Sequence, residues 1–133
     1  MEPLPRVLIV EDDNELRNVL CEQLERAHYR VVAVADGLVA ARELEDGPWE
    51  VLLTDFRVPR LNGLDLLGLV SACWSDTSVV LLSAEGGDTA RLALKRGAFA
   101  WITKPYELDH LLRTVKAAAE RTSELRGQRA ASQ

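Results

Sequence analysis

The chain has 133 residues, of which 47% are hydrophobic and 28% charged, with a formal net charge of −5. That length suits one domain and that apolar content is enough for a core, which excludes disorder as the state of the whole chain. An acidic balance with no run of Lys or Arg excludes a chain that itself grips nucleic acid or an anionic membrane, since both need a basic face.

The opening residues, MEPLPRVLIVEDD, have too short an apolar stretch and too early an acid cluster for a secretory signal. No stretch approaches a membrane span, so a cytoplasmic location is expected. Residues 1–5 read as an N-terminal arm. Cys21 and Cys73 lie far apart without metal or disulfide spacing and are expected to be buried free thiols.

Short apolar runs alternate with segments of helical period, the pattern of repeated βα units around a parallel sheet. The first strand is predicted at Arg6–Val10. The helix after it has Asp13 or Asn14 as its N-cap and places Leu16, Val19, Leu20 and Leu24 on one stripe. A second strand is predicted at Tyr29–Val34. Asp36-Gly37 opens a helix running to about Leu44, which Gly47-Pro48 ends. The third strand, Trp49–Thr54, leads into Asp55, and Asn62-Gly63 opens an apolar helix from Leu64 to about Cys73. The fourth strand, Ser78–Leu82, leads into Ser83. Glu85-Gly86-Gly87-Asp88 reads as a flexible loop with Asp88 capping a short fourth helix that ends at Gly97.

The fifth strand, Phe99–Ile102, is followed closely by Lys104-Pro105, and a fifth helix from Glu107 carries Leu108, Leu111, Leu112, Val115 and Ala119 inward. Most strands show no polar alternation, as strands buried on both faces should. Beyond Glu120 the apolar stripe fades, so residues 6–120 read as the domain and 121–133 as a tail or the start of a linker with a mobile end. His28 and His110 read as surface residues, and Trp49 and Trp74 as packing residues at element edges.

The strand ends carry the chemistry. The first strand delivers Glu11 and Asp12, the third Asp55, the fourth Ser83 and the fifth Lys104. In open α/β sheets ligands bind at that edge. Three converging carboxylates repel one another, and a divalent cation resolves the conflict. An all-oxygen donor set with few carboxylates suits Mg²⁺ better than a full Ca²⁺ cage. A carboxylate can attack phosphorus and become an aspartyl phosphate if fixed positive charge meets the equatorial oxygens. Asp55, alone on its strand while Glu11 and Asp12 are paired, is the candidate nucleophile. Lys104 is the candidate cation, and the Ser83 hydroxyl can donate to another phosphoryl oxygen. Asp13 reads as a helix cap.

The segments VLIVEDDNELR, LLTDFRVPRLNG, LLSAE and GAFAWITKP, in that order, resemble the signature segments of the receiver domains of two-component response regulators, over roughly Arg6 to Ala119. The resemblance implies a flavodoxin-like (βα)5 fold with strand order 2-1-3-4-5. It implies Asp55 as phosphoacceptor, Mg²⁺ held by Glu11, Asp12, Asp55 and the backbone carbonyl of Arg57, and Ser83 and Lys104 on the phosphoryl group. It further implies a cis Lys104-Pro105 bond and, at Trp101, an aromatic that swings inward as Ser83 moves. Trp101 is bulkier than the Tyr or Phe usual there. Arg57 and Glu85 occupy positions that flank the phosphoryl group, where an ion pair across the mouth would lengthen the phosphorylated state.

The implied function is a switch phosphorylated by a sensor histidine kinase or histidine phosphotransfer protein, catalysing only its own modification. Homodimerisation through the fourth helix, fifth strand and fifth helix is the family's usual output mode. Here the Ser83 to Lys104 interval is one residue shorter than in most relatives, which is expected to shorten or unwind the fourth helix, and GAFAWITKPYE lacks the acidic pair found after GA in winged-helix regulators. The alternative is a receiver-shaped module that signals without phosphorylation, for which loss of a site residue would be the sign. Phosphatases with an aspartyl intermediate want an acid two residues after the nucleophile, where this chain has Arg57. Nucleotide enzymes want a glycine-rich first turn, where this chain has EDDNE.

Overall fold

Each apolar run becomes a parallel strand because its residues are apolar on both faces, and the helices between them cover those faces. The computed structural model describes residues 3–131. Met1, Glu2, Ser132 and Gln133, the outer ends of the expected arm and tail, lie outside the described residues. Strands β1 (Arg6–Val10), β2 (Arg30–Val34), β3 (Val51–Asp55), β4 (Ser78–Ser83) and β5 (Ala100–Thr103) alternate with helices α1 (Asn14–Arg26), α2 (Gly37–Glu45), α3 (Gly63–Cys73), α4 (Asp88–Lys95) and α5 (Leu108–Ala131). The sheet is parallel in the order β2-β1-β3-β4-β5, the doubly wound, flavodoxin-like (βα)5 architecture expected. Among the described residues no helix is long and apolar enough to cross a membrane.

Successive residues of a strand serve opposite layers. Val7 and Ile9 pack with Leu20, Leu24, Leu111 and Val115 beneath α1 and α5, while Leu8 and Val10 pack with Leu44, Leu66, Leu67 and Val70 beneath α2 and α3. The strand order reverses between β1 and β3, so the crevice at their C-terminal ends is the topological switch point.

Strand bounds move by one or two residues: Tyr29, Trp49, Glu50 and Phe99 fall outside the strands, while Asp55 and Ser83 fall inside them. Trp49 is nonetheless buried, with its indole N–H donating to Glu43 O at 2.9 Å and the Arg6 guanidinium 4.0 Å from its ring centroid.

Five local expectations are corrected. Val19 is exposed because the row Leu16, Leu20, Leu24 faces the sheet, and a residue one position from that row sits about 100° round the helix. Leu108 is exposed because it lies in the first turn of α5, ahead of Leu111, where the buried stripe begins. Asp88 does not cap α4: Gly87, at φ +63°, turns the chain into the helix, and Asp88 is its first residue, ion-paired with Arg91. Cys73 is exposed at the end of α3 and Cys21 is half-buried, its thiol donating to Glu25 at 2.9 Å, because neither lies on its helix's inner face.

The fifth correction concerns the tail. From Arg121 onward the chain continues as α5 to Ala131, anchored by polar groups that an apolar stripe cannot reveal. Thr122 is buried, and its hydroxyl meets Glu50 O at 2.6 Å and Ser78 Oγ at 2.9 Å. The Arg126 guanidinium donates to Glu50 Oε2 at 2.6 Å and Trp49 O at 2.8 Å, and Arg129 pairs with Asp76 at 3.0 Å. These partners sit at the ends of β3 and β4 remote from Asp55 and Ser83.

Candidate functional site

Register brings the chemistry together. Val10 pairs with Thr54, so the residues after β1 emerge beside Asp55, and Ser83 pairs with Thr103, so Lys104 emerges beside Ser83. The Lys104 N–H donates to Ser83 O at 2.8 Å and the Phe56 N–H to Leu82 O at 2.8 Å, which carries strand geometry into the loops of the site. Gly63 permits the loop after β3 to fold back: a Cβ there would lie 2.6 Å from Leu81 Cδ2 and 3.0 Å from Phe56 Cα.

Glu11, Asp12 and Asp55 each direct a carboxylate oxygen into one cluster, these atoms lying within 4.8 Å of one another. Lys104 Nζ donates to Asp55 Oδ2 at 2.6 Å and lies 3.5 Å from Glu11 Oε1. Glu11 is 2% exposed, and among the described residues its Oε1 has no hydrogen-bond partner, while Oε2 accepts the Asp13 N–H at 3.3 Å. Burial, opposed by that N–H and reinforced by the charge of Asp55, pushes the Glu11 carboxyl up to about 6. For Lys104 burial acts downward, but the hydrogen bond and charge of Asp55 together with the charge of Glu11 outweigh it and raise its pKa. The lysine is therefore an ammonium at neutral pH.

The remaining residues form the mouth. Ser83 is buried, and its Oγ accepts the Glu85 N–H at 2.9 Å. The Arg57 guanidinium pairs with the Glu85 carboxylate, Nε lying 2.7 Å from Oε1, and the Arg57 N–H lies 3.4 Å from Asp55 Oδ1. Trp101 is partly buried, its indole N–H donating to Glu85 O at 2.8 Å and its ring 5.4 Å from that of Phe56. The Lys104-Pro105 bond is cis, as is Gly47-Pro48. Asp13 lies beside the cluster as the cap of α1, its Oδ1 accepting the Leu16 N–H at 3.0 Å. His28 and His110 are exposed.

Two features escape a reading by motif. Arg17 donates to Glu11 O at 2.9 Å and so steadies the acidic pair, a role that its place early in a helix starting just after Glu11 could have suggested. A groove of about 630 Å³ opens beside Lys104 and Pro105, bounded by Leu16, Val19, Tyr106 and Leu108. It joins residues of α1 to residues near the start of α5, and no local pattern links them.

The family model of the response regulator receiver domain matches residues 7–116. The chain is 32% identical over 113 residues to the DNA-binding transcriptional regulator NtrC of Azospirillum brasilense, covering 84% of this chain and 24% of that protein. It superposes with a TM-score of 0.86 and 26% identity on a response regulator receiver domain protein from Clostridium thermocellum, covering 92% of this chain and 99% of that one. With a TM-score of 0.79 and 27% identity it matches the receiver domain of the sensor histidine kinase PA1611 of Pseudomonas aeruginosa, covering 88% of this chain and 98% of that one. That structure holds a magnesium ion in its active-site cleft. The chain spans about a quarter to a half of the length of the curated relatives it matches. A match over most of its residues, on a fold of the same strand order with an acidic cluster at the switch point, places this chain in the response regulator receiver domain family.

Proposed function

We propose that the chain is a phosphorylation-driven switch in which Asp55 accepts a phosphoryl group from a phosphohistidine of a sensor histidine kinase or histidine phosphotransfer protein. The observation that carries this is the pairing of Asp55 with Lys104 at 2.6 Å beside an acidic cluster that includes a buried carboxylate oxygen, Glu11 Oε1, which no hydrogen bond among the described residues satisfies. That orphan oxygen and the all-oxygen donor set fit a hard divalent cation. Glu11, Asp12, Asp55 and the Arg57 carbonyl would hold Mg²⁺. When bound it supplies positive charge to the transferring phosphoryl group.

The chain's own groups do the rest. An Asp55 carboxylate oxygen forms the new bond to phosphorus as the P–N bond to the donor imidazole breaks, and the imidazole leaves neutral with a proton from solvent. Lys104 is close enough to turn its ammonium from Asp55 Oδ2 onto a phosphoryl oxygen. Ser83 donates its hydroxyl proton to a second one. The Arg57–Glu85 pair stands over the mouth and screens the aspartyl phosphate from hydrolytic water.

The groove beside Lys104 supports an apolar, helical phosphodonor, since Val19 and Leu108 leave apolar side chains in solvent on its walls. Leu92 and Leu94 on α4 are likewise exposed and support a homodimer through α4, β5 and α5. The receiver domain would begin at Arg6 and include α5 through Ala131, in a cytoplasmic protein. Incubation with acetyl phosphate and Mg²⁺ tests the assignment. Wild type gains a hydroxylamine-labile, phosphate-sized mass and Asp55→Ala does not. Labelling of Asp55→Ala, or labelling without Mg²⁺, refutes it. A phosphorylation-independent module would show partner binding that neither acetyl phosphate nor Asp55→Ala alters.

A further inference from the structure

We propose that Glu85 is the positioning residue that carries the state of Ser83 outward, with Trp101 a fixed strut and not a rotor. This role rests on Asp55 being the phosphoacceptor.

Three groups of Glu85 meet three different partners. Its N–H donates to Ser83 Oγ at 2.9 Å, its carbonyl accepts the Trp101 indole N–H at 2.8 Å, and its carboxylate accepts Arg57 Nε at 2.7 Å. Ser83, Trp101 and Arg57 come from β4, β5 and the loop after β3, so one residue joins three separate parts of the mouth.

Trp101 is held at both ends. Its ring lies against Phe56 at 5.4 Å and 52° and packs on the core layer containing Leu52 and Leu81, while its N–H is tied to Glu85. Rotation would break ring packing and strand a partly buried donor together. A Phe there would lack that donor and a Tyr would carry it elsewhere on the ring, so the restraint belongs to the indole.

The Ser83 hydroxyl has one proton and two lone pairs. It can donate to a phosphoryl oxygen while still accepting the Glu85 N–H, so a turn of Ser83 pulls on Glu85 and does not release it. The Glu85 peptide is free to follow because Gly86 and Gly87 come next. Among the described residues a Cβ at either would meet nothing within 4 Å, so these glycines serve backbone freedom and not packing, and Gly87 sits at φ +63°. The moving part is therefore the loop between β4 and α4, and Trp101 limits how far it goes.

The test uses the full chain labelled with ¹⁵N, its indole signals assigned by Trp→Phe substitution at 49, 74 and 101. In the unmodified protein, Ser83→Ala is expected to shift the Trp101 indole signal and speed its hydrogen exchange about fivefold, the scale of one lost hydrogen bond passed on through Glu85. Arg126→Ala, which weakens the fold at the far pole, should leave that signal in place. On addition of beryllofluoride and Mg²⁺ the wild-type Trp101 indole should stay protected while the amides of 84–87 shift. An unmoved indole signal in Ser83→Ala, or loss of protection with beryllofluoride, overturns the proposal. Failure of wild type to bind beryllofluoride, read separately by ¹⁹F signal, refutes the phosphoacceptor assignment instead, and the Ser83→Ala measurement still decides the link through Glu85.

Discussion

Lys104 Nζ lies 2.6 Å from Asp55 Oδ2 and 3.5 Å from Glu11 Oε1, so a single ammonium faces two carboxylates and hydrogen-bonds only one of them. It holds Asp55 in place and also stands as a positive charge beside the acidic cluster. Removing it should have two effects of opposite sign. Lys104→Ala leaves Asp55 and Glu11 repelling each other without compensation, and should cost about 1–3 kcal/mol of stability in metal-free buffer at pH 7, measured by urea unfolding. The same variant should bind Mg²⁺ more tightly than wild type by titration calorimetry, because a competing cation has gone. Weaker Mg²⁺ binding would show that the ammonium does not oppose the metal.

The Glu11 carboxyl predicts a pH dependence. Its pKa rises from 4.5 to about 6 on folding, mainly through burial, so between those values the folded protein binds more protons than the unfolded chain. Metal-free stability should therefore fall as pH rises through that window, by an amount on the order of 2 kcal/mol. Glu11→Gln should remove most of that slope and be more stable than wild type at pH 7 without metal. Mg²⁺ affinity should increase across the same window as the carboxyl ionises. Urea midpoints from pH 4 to 7 check the first point. A stability that rises with pH there contradicts the assignment.

The Arg57–Glu85 pair is mostly in solvent, with side-chain exposures of 75% and 38%, so its worth to the fold is small. Arg57→Ala should leave the unfolding midpoint nearly unchanged and yet speed loss of the phosphoryl group severalfold, the outcome that the proposed screening of Asp55 by the pair requires. The decay of the phosphorylated species, followed by intact mass, measures this. Equal lifetimes in variant and wild type would remove the screening role.

The far half of α5 makes a stability prediction. Thr122 gives one hydroxyl to Glu50 O and Ser78 Oγ, and Arg126 spans Glu50 and Trp49. Thr122→Ala and Arg126→Ala should each cost about 1–3 kcal/mol by leaving largely buried partners unsatisfied. A chain ending at Glu120 should lose more than either. Unfolding of that shortened chain with the wild-type midpoint would place the boundary of the unit at Glu120 after all.

The strands, their carboxylate ends and the family segments were legible in the sequence because each is local. A short apolar run announces a strand, and an acid directly after one announces the sheet's rim. Asp36 and Asn62 ahead of glycines announce helix starts, and both side chains accept the N–H three residues on. Apolar period says which face of a helix is greasy and is silent on polar anchorage, which is why Thr122, Arg126 and Arg129 read as a fading tail. It also does not fix how wide the buried stripe is or where along the helix it begins, which is why Val19 and Leu108 read as inner residues.

Only the tertiary structure decided which atoms meet. Strand register set Lys104 against Asp55, burial left Glu11 Oε1 without a hydrogen bond among the described residues, and the loop after β4 put three groups of Glu85 within reach of three other segments. Residue type and spacing specify what a side chain can do. Which partner it does it with depends on contacts between residues remote in the chain, and those exist only once the sheet has closed its layers.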